Sequence, residues 1–219
     1  MTIEALIFDL DGLLIDSERL SQRSWSQVMA EAGYLLSEDI YHQMIGRTEK
    51  DVKAILQQAF GNNFPFEDMY RKREQRFFEI IEQEGMPRKA GWDELAQYIL
   101  QNGLRTAVAS STYRRLAEKK LSAARLLSFF EVIVTGDEVS HGKPAPDLFL
   151  TAASKLAIPP EKCVVLEDSE AGIQAAYNAG MKCIHIPDIQ PISPQTLMLV
   201  WHQVSSLAKV REILEKEIS

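Results

Sequence analysis

Cysteine is almost missing from this chain: Cys163 and Cys183 are the two in 219 residues. Each sits inside an apolar segment, "CVVLE" and "MKCIHIP", so a disulfide framework is excluded and two buried free thiols are expected. Positive charge is in short supply as well. Lys and Arg total 24 against 31 Asp and Glu, a formal net charge of -7, and no long basic run offers a footprint for nucleic acid. No apolar stretch approaches the roughly 20 residues that cross a bilayer. The opening "MTIEALIFD" lacks a basic leader, so a cytoplasmic protein with no membrane partner is expected. Internal repeats and low-complexity tracts are wanting too. What remains, 46% hydrophobic and 25% charged residues, is the composition of a packed domain rather than a disordered chain.

Two textures follow one another. Ile3–Phe8 reads as a short buried strand, after which only helical patterns appear up to about Gly85. Leu20, Val28, Met29 and Ala32 share one helical stripe, Val52, Ile55, Leu56 and Phe60 a second, and Met69, Phe77, Ile80 and Ile81 a third. The cluster "RKREQR" at Arg71–Arg76 is flanked by acids and reads as a solvated helix face. Beyond "EGMPRKAG" strands alternate with helices: "LRTAVAS", "EVIVTG", "KCVVLED" and "KCIHIP" are near-continuous apolar runs, each separated from the next by a helical stretch. This is the pattern of a parallel sheet covered on both faces. The expected fold is therefore α/β, a Rossmann-like parallel sheet flanked by helices with an inserted helical cap domain. Residues 1–15 and 87–219 would form the core and 16–86 the cap, with Asp16 or Ser17 capping its first helix. The tail "SSLAKVREILEKEIS" reads as a packing helix.

In an open parallel sheet, ligands gather beyond the carboxyl ends of the strands. The first strand runs into Asp9 and Asp11, which share a face if the chain stays extended. The second ends in Ser110, Ser111 and Thr112, hydroxyls followed by a helix. Lys143 follows the third, held between Gly142 and Pro144, and the fourth ends in Glu167 and Asp168. Several carboxylates at one place repel each other unless protonated or shared with a cation. Their hard oxygens, with no histidine or cysteine at ligand spacing, point to Mg²⁺. A lysine and a hydroxyl beside such a cation make an anion site, with phosphate the anion that fits.

"DLDGLLIDSE" at Asp9–Glu18, the strand ending in Ser110, "GKPAPDLF" at Gly142–Phe149 and "LEDSEAGIQAAYNAGM" at Leu166–Met181 resemble, in order and spacing, the four motifs of the haloacid dehalogenase superfamily. The resemblance spans nearly the whole chain and is strongest to the branch holding beta-phosphoglucomutase and small sugar-phosphate or phosphoglycolate phosphatases. It implies that Asp9 attacks phosphorus and becomes an aspartyl phosphate, and that Asp11 protonates the leaving oxygen and later takes a proton from water. It also implies that Ser110, helped by the backbone around Ser111, and Lys143 hold the phosphoryl group. Asp9, Asp168 and the Asp11 carbonyl would bind Mg²⁺, with Glu167 standing behind the metal or reaching it through water.

Within that family the loop "MIGRTEKD" at Met44–Asp51 is expected to set substrate selectivity, Gly46 allowing close approach and Arg47 pairing with a second group of the substrate. Mutases of this branch usually carry cations where this sequence has Ile45 and Glu49, and a histidine near Ser21. A phosphatase acting on a small phosphorylated metabolite is therefore favoured over a phosphosugar mutase. A dehalogenase has no use for Asp11. A phosphoaspartate receiver is about half this length, and a non-catalytic binding module would not need both acids. A monomer is the default expectation.

Overall fold

A computed structural model describes residues 2–45, 47 and 49–218. The chain runs β1 (Ala5–Phe8), α1 (Ser17–Glu31), α2 (Glu38–Met44), α3 (Glu49–Phe60) and α4 (Phe66–Glu84). It continues through α5 (Trp92–Asn102), β2 (Arg105–Ser110), α6 (Arg114–Ala123), β3 (Val132–Thr135), α7 (Asp147–Leu156) and β4 (Cys163–Glu167). It ends with α8 (Glu170–Asn178), β5 (Lys182–His185), α9 (Pro194–Leu197), β6 (His202–Gln203) and α10 (Leu207–Ile218). Two compact units result: one formed by the residues up to Asp16 and from Met86 onward, the other by Ser17–Gly85. No helix among the described residues is long and apolar enough to cross a membrane.

The first unit is an α/β layer structure. Among the described residues its six strands form one sheet in the order β3-β2-β1-β4-β5-β6, parallel throughout. β1 is wholly buried because both its neighbours and both its faces are covered. Ala5 and Ile7 point into a cluster with Ala107, Val165, Leu148 and Phe149, the α7 side of the sheet. Phe8 points to the opposite face, where its ring meets Trp92 at 5.9 Å and Phe130 at 5.5 Å. The chain leaves β1 for β2 and β3 on one side and returns to β4 on the other. The end of β1 therefore lies at the switch point of the strand order, where such sheets open a crevice. Cys163 and Cys183 are buried and unpaired. β6 is a two-residue edge strand that no sequence pattern announced, being too short to show a period.

The second unit is all-helical, and α1 packs along α4. Its core is aromatic and aliphatic, with Trp25, Met29, Leu56, Phe66 and Met69 buried. Ala32, assigned by its spacing to the stripe of α1, is exposed, because the helix stops at Glu31. α2 was not marked by the apolar period. It is announced by Ser37, whose side chain accepts a hydrogen bond from Ile40 N at 3.3 Å. The reading of Arg71–Arg76 as a solvated face is corrected at one residue. Arg73 stands four residues after Met69 and four before Phe77, so it falls on the buried stripe of α4. Its guanidinium lies over the rings of Phe77 (5.1 Å) and Trp25 (5.9 Å), and it donates to Ser21 Oγ.

Candidate active site

The site begins where β1 stops. Asp9 N continues the ladder by donating to Leu166 O at 3.0 Å, which carries the Asp9 side chain to the level of Glu167 on β4. Lys143, from the segment before α7, reaches between them, donating to Asp9 Oδ1 and, at 2.6 Å, to Glu167 Oε1. This triad is enclosed: the side chains of Lys143 and Glu167 are 5% and 0% exposed. Charges so far from water persist only when paired. The Lys143 ammonium also lies 4.9 Å from the centre of the Phe149 ring.

Glu167 is held from its other side by the start of α8. Its Oε2 accepts from Asp168 N and Ser169 N, both at 2.8 Å, and from Ser169 Oγ at 3.0 Å. Ser169 in turn caps the helix by accepting from Gly172 N at 3.1 Å. A Cβ at Gly172 would stand 1.6 Å from Glu167 Oε1, so only glycine leaves room for this carboxylate. With both oxygens engaged, Glu167 is an anchor for Lys143.

Burial raises the Asp9 carboxyl from 3.8 to about 7, with Lys143 opposing the rise and the charges of Glu167 and Asp11 adding to it. Asp168 is likewise raised well above the usual carboxylate range, first by burial and then by Glu167, Asp9 and Asp188. Burial works against the Lys143 ammonium, but Asp9 and Glu167 outweigh it and hold its pKa above the ordinary lysine value. The pocket thus has more negative charge than its own lysine neutralises.

The chain leaves the strand, Gly12 takes φ +86°, and Asp11 turns to a different set of partners. Its Oδ1 accepts from Lys120 Nζ at 2.6 Å and its Oδ2 from Thr112 Oγ1 at 2.8 Å. The two acids differ in partners, yet the charge of Asp11 still adds to the rise at Asp9. Gly12 is required twice, by its positive φ and by crowding. A Cβ there would lie 2.2 Å from Asp168 Oδ2 and 3.2 Å from Asp188 Oδ2. Ser110, 2% exposed, ends β2 and accepts from Thr112 N at 3.1 Å, whereas Ser111 is exposed.

Arg47 lies in the helical unit, on a cavity of about 160 Å³ that Ser21, Trp25, Tyr41, Tyr70 and Arg73 also line. Gly46 lies outside the described residues. Sequence reasoning placed Thr112 with the hydroxyls ending the second strand without giving it a role, and missed Lys120, Ser169 and Asp188. Asp188, whose buried carboxylate pairs with Lys89 at 2.5 Å, stands just past β5, and the rule of looking beyond strand ends reaches it once that strand is included. Lys120 sits in the last turn of α6 and has no such signal.

A family model described as haloacid dehalogenase-like hydrolase matches residues 6–186. The chain belongs to that family. A phosphorylated carbohydrates phosphatase from Thermotoga maritima is 33% identical to this hydrolase over 183 residues, 84% of each chain. The crystal structure of a putative beta-phosphoglucomutase from Thermotoga maritima superposes with a TM-score of 0.85 at 27% identity, covering 98% of this chain and 99% of the other. A haloacid dehalogenase family hydrolase from Deinococcus radiodurans R1, solved with bound phosphate and sodium, gives 0.84 at 31% identity over 98% and 96%.

Proposed function

We propose that this hydrolase removes phosphate from small phosphate monoesters, most simply sugar phosphates, through an aspartyl phosphate on Asp9. The observation that carries this reading is the enclosed Asp9–Lys143–Glu167 triad at the switch point of the sheet. Asp9 is the one carboxylate there whose far oxygen is not committed to a helix N-terminus. Its attack forms an Asp9–phosphorus bond as the ester oxygen leaves with a proton from Asp11. Water then displaces Asp9 from phosphorus and gives its proton to Asp11. Lys143 balances charge on the phosphoryl oxygens, and Ser110, with the backbone at Ser111, donates to one of them. The phosphatase among its relatives and the phosphate bound by a structural neighbour support the reading.

The donor set suits Mg²⁺. Asp9 and Asp168 are hard oxygen donors that burial and mutual repulsion raise above the usual range, the situation a divalent cation relieves. No group of three or more Asp, Glu, His or Cys converges to cage a metal among the described residues. Mg²⁺ takes one or two carboxylates and completes its sphere with water and substrate phosphate. Asp9, Asp168 and the Asp11 carbonyl would hold it, and bound there it supplies charge neutralisation for the phosphoryl group.

A phosphosugar mutase is the second reading, and one observation favours it. Cations expected in mutases are missing at Ile45 and Glu49, yet Arg73 brings another cation to the cavity lined by Arg47. We assign substrate selectivity to this helical unit. The deciding experiment is a Mg²⁺-dependent screen of phosphorylated metabolites, run beside Asp9→Asn. It includes beta-glucose 1-phosphate with a trace of the 1,6-bisphosphate. Phosphate release by the wild type alone supports hydrolysis. Glucose 6-phosphate without net phosphate release would select the mutase, and full activity in Asp9→Asn would overturn the mechanism.

A further inference from the structure

Lysine is rarely enclosed unless something inside requires it. Beyond Lys143, which the phosphoryl site explains, the sheet unit buries a second one: Lys120, 8% exposed, belongs to none of the four motifs. It projects from the last turn of α6 to Asp11 Oδ1, 109 residues earlier in the chain, at 2.6 Å. Thr112 meets the other oxygen, Oδ2, at 2.8 Å, and Thr112 is itself fixed through its N–H to Ser110 Oγ. The Asp11 carboxylate is therefore gripped at both oxygens by groups from the β2–α6 segment. Its side chain remains 23% exposed, so water reaches it.

We infer that Lys120 is a positioning residue which, with Thr112, fixes the Asp11 carboxylate in the orientation that takes a proton from the water attacking the aspartyl phosphate. In that step the water oxygen bonds to phosphorus, the Asp9–phosphorus bond breaks, and the water proton passes to Asp11. Two charge-assisted or hydroxyl grips hold the acceptor still, and a carboxylate free to rotate would spend much of its time misaimed. The inference rests on the role of Asp11 proposed above.

The test separates the two chemical steps with p-nitrophenyl phosphate, whose phenolate leaves without a proton. Rapid mixing reads the burst of p-nitrophenolate as Asp9 is phosphorylated and the following steady state as water releases it. In Lys120→Met the burst rate stays within about twofold of wild type while the steady state slows by about tenfold or more, KM changing little. Lys120→Arg restores part of the loss, and in an Asp11→Asn background Lys120→Met slows turnover no further. Equal slowing of burst and steady state, or losses that add to those of Asp11→Asn, would show a merely structural role. If Lys120→Met does not fold, Thr112→Val and Lys120→Arg carry the same comparison with smaller losses. Unimpaired turnover in Asp11→Asn refutes the underlying reading of Asp11. Impaired Asp11→Asn beside a wild-type-like Lys120→Met refutes this inference alone.

Discussion

Each unit of this protein encloses a cation, and the two do so in opposite ways. In the sheet unit Lys143 sits between two carboxylates, and a third, Asp168, crowds beside them. In the helical unit Arg73 sits between aromatic faces, bonded to Ser21, with its Nε enclosed and no hydrogen-bond partner for it among the described residues. The first arrangement neutralises charge and leaves acidity over. The second leaves a donor over, held below the ordinary arginine pKa by burial. A buried cation among carboxylates prepares an electrostatic site, whereas one among rings keeps an N–H with no acceptor among the described residues.

The sharpest way to break this contrast is Asp9→Asn. Turnover is expected to vanish, yet in chelator the variant should melt above wild type at pH 8. Asp9 titrates near 7 when folded and near 3.8 otherwise. Between those values the folded form holds a proton that the unfolded chain has lost, so stability falls as pH rises through that window. The difference in Tm should shrink toward pH 4, and a variant less stable than wild type at pH 8 would contradict the surplus of negative charge. Lys143→Met comes next, with loss of about 10³ in kcat and about 3–5 kcal/mol in urea unfolding, the cost of leaving buried carboxylates unpaired.

Gly172→Ala tests the far side of the same triad. Its Cβ would overlap Glu167 Oε1, so a loss of about 1–3 kcal/mol is expected, with kcat reduced through a displaced Lys143. The smallest structural effect should come from Arg73→Met. A hydrophobe replacing a buried cation among rings is expected to leave unfolding free energy within about 1 kcal/mol of wild type. KM for a sugar phosphate should rise by about tenfold with kcat little changed, as for a group that binds substrate and transition state alike. If Arg73→Met instead destabilises as much as Lys143→Met, the two cations are doing the same thing.

Much of this was legible in order along the chain. Apolar runs with helices between them are a direct record of strands buried on both faces; Asp9, Glu167 and Asp168 were found because they lie at or just past strand ends, and Lys143 because it lies in the segment that follows the third strand. Arg73 was misread because its neighbours Arg71 and Lys72 are exposed and paired to Asp68. A charged residue on an apolar stripe looks, in composition, like the rest of its charged run. The pairing of Thr112 and Lys120 with Asp11 was missed because the partners lie about a hundred residues apart.

The sequence by itself determined which residues alternate into a parallel sheet, where the helical insert interrupts it, and which chemical groups end each strand, since periodicity and strand-end placement are local properties. Only the tertiary structure decided how those groups share partners. Lys143 joins Asp9 to Glu167 because β1 and β4 are adjacent, and Asp11 meets Thr112 and Lys120 because β2, which leads into α6, flanks β1 on its other side. Pairing of buried charges depends on strand order, which is not written in the spacing of residues along the chain.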